Sequence, residues 1–438
     1  MSDRKYELTE EFRVIDTDEK VYRIQATEDI PVHGVKKDDL GGFVGLNVDL
    51  GDNAWVSENA QVSGEARVFG NALVSGEARV RGGAQVFGDA WISGTAQISG
   101  DAMVSGKAWI SDHAWINGTA QVSGDAWISN NARVRGNAQV NGNARVIGDS
   151  RVRGNAQVFG DACISGAAQV FGYAQVRGDA RVYGEALIYG EAQIFGSAWV
   201  SDEAQVFGNA WISGNAWVFG RARVSDEAQV RAKAQIYDDA WVHGNAQIFG
   251  DAQASGNTWI YGDAQIFDTA WVFGKTRVSG NSAISGNARV SEGARVRDNA
   301  QIFDNARICG KARIGGNTWV NDDAQVSGKA WVHGDAVVCG DSYVCGEAQV
   351  FDSACIFGGM NAKVCGGARV FGGAWVTGGA EISEHAQLFG NAEVTGNAVV
   401  CGKAKICGNA TVTGAAKISG DTEISGSDEV TVSAEVVK

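Results

Sequence analysis

The residues able to do chemistry in this chain are few. It has five His and eight Cys among 438 residues. His is the ordinary general base near neutral pH, and Cys acts as nucleophile or metal ligand only as the thiolate. His33, His113, His243, His333 and His385 are scattered, and none has an adjacent Cys, Asp and Ser in an order that suggests a triad or a ligand set. The Cys residues (163, 309, 339, 345, 355, 365, 401 and 407) include no CxxC pair. That spacing reads as neither a zinc site nor a disulfide framework. No phosphate-binding loop or dinucleotide fingerprint stands in a convincing context, because Gly recurs too often for Gly motifs to be informative. More distinctive are 14 Trp and several Arg-x-Arg triplets.

What positions these residues is a repeat. Sixty residues are Gly and one, Pro31, is Pro. Ala54, Ala60, Ala66 and Ala72 are six apart, as are Val56, Val62, Val68 and Val74. From 56 to 356 all 51 hexads carry Val or Ile except at Ala254, a predicted weak spot. The Ala register departs only to Ser150, Thr258, Thr276, Ser282, Thr318 and Ser342. The step from Ile356 to Val364 is eight residues, a two-residue slip within 357–361. The unit reads Ala, x, Val/Ile, Ser/Phe, Gly, Asp/Asn. Ala and Val/Ile, two apart, face one side of a short strand, while x and Ser/Phe face the other. Gly frees the corner, and Asp or Asn tolerates a strained turn there. Such short strands cannot make a hairpin sheet, but they can wind into stacked coils. Pro would delete ladder hydrogen bonds, which explains its absence.

The pattern resembles the hexapeptide repeat of left-handed parallel β-helix proteins, in which three hexads make a triangular coil of 18 residues. The resemblance spans about nine-tenths of the chain, although Gly here falls two places after the aliphatic residue rather than one. It implies an all-β chain, a single-stranded left-handed parallel β-helix of about 22 coils. Residues 1–43 lack the period. Short strands are expected at Tyr6–Leu8, Phe12–Ile15 and Val21–Ile24, forming a β-rich cap over the first coil. Residues 44–438 are the helix, and Asp428, Glu429, Glu435 and Lys438 charge its C-terminal end. The head resembles bacterial and phage hexapeptide-repeat proteins, some of which carry a transferase label.

Under an 18-residue coil, residues 18 apart share a column. All 14 Trp take the outward x position. Trp91, Trp109, Trp127, Trp199 and Trp217 share a column with Trp55 and Trp271. A second face brings Arg133, Arg135, Arg151 and Arg153 together on adjacent coils. A third carries a Gln run from Gln121 to Gln193 and a Phe column through Phe69, Phe87, Phe159, Phe195, Phe249, Phe267 and Phe303. Each column has a plain reading as rod-stabilising stacking, with Arg balanced by corner acids, and a sharper one as a contact or anion-binding surface. The Cys residues are outward by register. Free surface thiols are their expected state, although a Cys345–Cys365 disulfide is geometrically conceivable.

The net charge of −14 argues against general nucleic-acid binding. No run approaches a membrane span, and the N-terminus does not read as a signal peptide, so the expected setting is cytoplasmic or virion-associated. Family transferases use a His general base beside an extruded loop that helps hold acyl-CoA. The single extrusion here is two residues long. The sequence therefore favours a non-catalytic structural or binding rod, with no cofactor or metal, presenting Trp, Arg and Gln/Phe faces to a protein or glycan partner or a homotrimeric assembly. The alternative is an acetyl-CoA-dependent acyltransferase with an intersubunit site, for which His113, His243, His333 and His385 are the candidate bases.

Overall fold

The computed structural model describes residues 4–431 and the backbone of Glu435–Val437. Lys438, the start of the chain and the side chain of Glu435 lie outside the described residues. Residues 1–220 and 221–438 form two compact units.

In the first unit, β1 (Tyr6–Val14) and β2 (Lys20–Ala26) pair antiparallel, and β2 pairs antiparallel with β3 (Leu40–Gly45). The two expected strands at 6–8 and 12–15 are one strand, interrupted by a bulge between Leu8 and Phe12. Pro31 lies in a 3-10 turn outside the ladder. The cap is fastened by specific contacts. The Arg13 guanidinium lies 3.9 Å from the ring centroid of buried Phe43. The Glu19 carboxylate accepts the Gly64 N–H at 3.0 Å, and Arg13 donates to Asn59 at 2.9 Å.

From β3 to Trp217–Val218 the unit has thirty strands. Within the unit, strands three places apart pair in parallel, as Gln61–Arg79–Gln97 and Trp91–Trp109–Trp127 show. Three strands thus close a coil, giving ten coils. The second unit repeats the rule over thirty-six strands from Arg223–Val224 to Glu435–Val437, or twelve coils. Each unit is therefore a parallel β-solenoid, and the coils of the two together number the about 22 expected from the period.

The backbone explains the hexad. Gln61 N–H donates to Ala78 C=O and Ser63 N–H to Val80 C=O, both at 2.9 Å. The ladder continues around the corner, where Asn71 N–H reaches Gly88 C=O at 2.7 Å. Ala and Val/Ile fill the interior and are fully buried. Ala254 is buried in line with Ile236 and Val272, where it brings less side chain to the interior.

The corner differs from the sequence reading. The left-handed residue is the fifth of the hexad alone. At Gly106 (φ +70°), a Cβ would fall 2.7 Å from Gly124 backbone atoms. Where an acid replaces this Gly, its carboxylate serves the next coil: Asp202 (φ +58°) accepts the Gly220 N–H at 3.0 Å. The sixth residue is not strained. Its Asn side chains form amide ladders, such as Asn281→Asn299→Asn317→Asp335 at 3.3, 2.9 and 2.8 Å. This ladder ends on Asp, which accepts and cannot donate.

The slip lengthens one coil. Tyr343 pairs with Lys363, twenty residues on, and the extra residues bow out around Met360 and Asn361. The bow leaves the Gly358 N–H buried, and the Ser342 hydroxyl accepts it at 2.8 Å. Cys345 and Cys365, twenty apart, meet in a disulfide with Cα atoms 4.6 Å apart. The expectation of free thiols is thus corrected at this pair, because the longer coil still aligns the two positions.

Interior hydroxyls in the Ala register bond back three residues: Thr276 to Phe273 C=O at 2.7 Å and Ser282 to Ser279 C=O at 2.9 Å. Ser150 and Thr258 are fully buried with no such partner. Ser150→Ala should therefore stabilise the chain by about 1 kcal/mol, whereas Ser342→Ala should destabilise it by about 1–2 kcal/mol. Urea midpoints followed by circular dichroism check the pair; a lower midpoint for Ser150→Ala contradicts an orphaned hydroxyl.

Candidate functional site

The outward columns are ladders of flat groups. Trp91, Trp109 and Trp127 stack with centroids 5.4 and 5.3 Å apart and planes within 7°. Trp199 and Trp217 stack at 5.1 Å. Arg145 lies 5.7 Å from the Trp127 centroid, and Arg181 lies 5.1 Å from that of Trp199. Ring faces are covered by the neighbouring rung, so the exposed part of Trp109 (39%) is mainly its edge. Trp55 departs from this column's outward exposure: only 2% of it is exposed, because β3 of the cap lies over it. Trp199 and Trp217, with Tyr183 and Phe219, line an open groove of about 180 Å³.

A diagonal relation accompanies the vertical one. The indole N–H of Trp91 donates to Ser75, sixteen residues earlier, at 3.0 Å, and those of Trp109 and Trp241 donate to Ser93 and Ser225 at 3.3 Å. Trp331 has Gly315 at that offset, and its N–H is buried without a partner.

The Arg cluster is brought together as expected, with Arg133 beside Arg151 and Arg135 beside Arg153. The expected balance by corner acids is replaced, for two of them, by rings. Arg133 lies 5.7 Å from the Trp115 centroid and Arg153 lies 4.5 Å from that of Phe171. Arg153 also donates to Gln169 at 3.5 Å. The Gln column does not supply the amide ladder that its spacing suggests; amide chains run along the corner Asn instead.

The four candidate bases are kept apart. His243 stacks on Tyr261 at 5.2 Å and leans on Trp241 at 4.6 Å; His333 stacks on Phe351 at 5.1 Å and leans on Trp331 at 4.2 Å. Both imidazoles are ladder rungs. Burial pushes both below the ordinary value of 6.5, against Asp226 for His243 and Asp352 for His333. Arg297 adds to the lowering at His333. His113 bonds Thr95 of the preceding coil, and His385 lies at a corner against Gly367.

One thiol pair was not foreseen from the column alone. Cys339 and Cys355 are sixteen apart, the same diagonal as Trp and Ser. A hydrogen bond from Cys339 holds the Cys355 thiol down to about 7, while burial opposes this. The same bond, with burial, pushes Cys339 up. A search at offset 16 would have revealed this pair and the Arg–Gln and Trp–Ser contacts.

Three segments, residues 96–112, 386–402 and 404–420, match the model of the YdcK beta solenoid repeat. Each is about one coil long. No curated protein matches the chain. The matches and the stacked coils together define a β-solenoid repeat protein. Among the described residues, no helix is long and apolar enough to cross a membrane, and no three His, Cys, Asp or Glu gather around a metal-sized space.

Two measurements check this chemistry. The unfolded chain takes up protons on His near pH 6.5, before folded His243 and His333 do. Stability gained by keeping these rings neutral is present above that pH and is lost as pH falls through the folded values. His243→Phe with His333→Phe, which keeps flat rungs, should therefore shrink the drop in unfolding midpoint between pH 7 and pH 5. An unchanged drop would contradict it. Iodoacetamide should alkylate Cys355 with a half-maximal rate near pH 7, whereas Cys309, Cys401 and Cys407, all raised by burial, should react only at higher pH than an ordinary thiol. Peptide mapping at several pH values reads the order of modification.

Proposed function

We propose that this chain is a non-catalytic binding scaffold whose laddered outer faces meet a partner. The observation that carries the reading is the use made of its chemical side chains. His243 and His333 serve as stacked rungs between aromatic neighbours, and neither shares a cleft with another candidate base.

The Trp column favours a protein over a glycan as partner. A sugar stacks on a ring face, and the faces of Trp109 are taken by Trp91 and Trp127. Exposed indole edges and Arg stems suit a protein surface better. The left-handed winding, the hexapeptide kinship and a cytoplasmic or virion-associated setting belong to this same reading, as does operation without a cofactor. A homotrimer through the Trp column is the form of assembly that the family resemblance suggests.

Acetyl-CoA separates the scaffold from the acyltransferase alternative. Thermal unfolding should be unchanged by millimolar acetyl-CoA. A rise in Tm that disappears on substituting one of His113, His243, His333 or His385 overturns the scaffold reading. The ladder itself is tested at Trp109. Trp109→Ser removes two stacked pairs and should cost about 1–3 kcal/mol. Sedimentation of the same variant reads assembly: a fall in mass assigns the column to a contact between copies, and an unchanged mass removes the homotrimer from the proposal.

A further inference from the structure

Three Arg side chains of this protein are seated in one recurring way. Arg153 lies over Phe171 and donates to Gln169. Arg177 lies 4.9 Å from the Phe195 centroid and donates to Gln193 at 3.3 Å. Arg231 lies 4.8 Å from the Phe249 centroid and donates to Gln247 at 2.9 Å. The ring comes eighteen residues after the Arg and the amide sixteen. Arg177 is also in register with Phe159 on the preceding coil, so its guanidinium takes the rung between two Phe positions.

Phe303 and Gln301 stand in the same relation to position 285, and Phe267 precedes it by eighteen. Residue 285 is Ser, and the neighbouring outward residue on its strand is Ala283. The ring and the amide of the Arg seat are present, and the Arg is missing. An open groove of about 330 Å³ results, lined by both Phe rings, Gln301, Asp268 and Asp304. Phe267 rests one face on Phe249, with centroids 5.0 Å apart, and turns the other toward the vacant rung. Two coils separate the Phe levels by roughly 10 Å, which is room for one flat group at the ladder spacing.

The charge at the vacancy selects among flat groups. Beside Arg177 the corner residues of the flanking coils are Gly160 and Gly196; beside Ser285 they are Asp268 and Asp304. Asp268 accepts the Gly286 N–H at 3.1 Å and Asp304 the Asp322 N–H at 3.4 Å. Both residues are exposed at the mouth of the groove. Two carboxylates, an amide oxygen and two ring faces together match a planar cation.

We propose that the slot at Ser285 binds the guanidinium group of an arginine side chain presented by a partner polypeptide. Gln301 would accept from the guanidinium as Gln193 does from Arg177. A free amino acid would bring its own carboxylate toward Asp268 and Asp304, whereas an arginine within a chain would not. The inference gives the scaffold reading a partner chemistry, but it is tested by ligand binding alone, independently of any result with acetyl-CoA.

Titration calorimetry on the full chain, with acetyl-arginine amide, acetyl-lysine amide and free L-arginine as probes, tests it. Acetyl-arginine amide should bind roughly tenfold more tightly than the lysine compound, because a compact ammonium cannot fill a flat slot. Free L-arginine should be the weaker of the two guanidinium probes. Ser285→Arg should fill the seat from within and abolish binding. Asp268→Asn with Asp304→Asn should weaken it several-fold. Equal affinity for the arginine and lysine amides, or full binding by a folded Ser285→Arg variant, overturns the site. L-arginine binding as tightly as the amide overturns the polypeptide source. The probe comparison on the unmodified chain keeps the test decisive even where Ser285→Arg does not fold.

Discussion

The hydrogen bonding of each coil to the next constrains everything else in this protein. A strand of two residues has almost no stability of its own, and here alternate N–H groups along the coil wall find their acceptors on the following coil, as Gln61 does on Ala78 and Ser63 on Val80. The acceptor lies seventeen residues on because a closed coil takes eighteen. A coil of another length that did not bow its extra residues outward would leave a row of polar backbone groups unpaired in a buried place, at a cost of order 1–3 kcal/mol each. The slip at 357–361 illustrates the rule. Two residues are added, they bow outward, and the buried Gly358 N–H that results is given a hydroxyl by Ser342, at a position where the repeat otherwise calls for Ala.

The same spacing explains which side chains cover the outside. Rungs about 5 Å apart favour groups that are flat and can lie parallel. Indole, phenyl, phenol, imidazole and guanidinium all occur as rungs, and the corners use the amide of Asn in the same manner. This places a constraint on chemistry. A His that serves as a rung, such as His333 on Phe351, spends a ring face on packing, and burial pushes its pKa below the ordinary value. The features that would make it a useful base in an open cleft are engaged in holding neighbouring coils together.

Much of this was legible from the period. The inward register, the three sheets, the columns and the position of the slip all follow from counting by six and eighteen, because each repeat makes the same backbone bonds. What was not legible lies off that lattice. Trp55 satisfies the outward register but is buried, since the cap at 40–45 covers it and the cap has no period to read. The Arg cluster at 133–153 was correctly placed, yet Arg133 and Arg153 lie against rings rather than against the corner acids nearest in sequence. Side chains lean along the strand, so Arg153 reaches Gln169 and Trp109 reaches Ser93 by a diagonal of sixteen. The Cys339–Cys355 pair is hidden by the same diagonal. Counting by eighteen finds what stacks; the lean of the side chain decides what bonds.

A surface built this way has a difficulty in being specific. If every coil offered the same rungs, a partner could bind at many equivalent heights, and no one register would be preferred. Specificity then has to come from a departure, a place where the column is broken while the groups that would hold the missing rung are retained. Most small outward residues do not qualify. Asn141 precedes Gln157 and Phe159 by the right offsets, but position 123 above it is Ser, so no second ring closes the gap. At Ser285 both rings remain, the diagonal amide remains, and two corners that are Gly beside Arg177 have become Asp. Loss of the rung alone would be drift in a tolerant repeat. Loss of the rung together with gain of charge of the complementary sign makes a distinct address on an otherwise repetitive face.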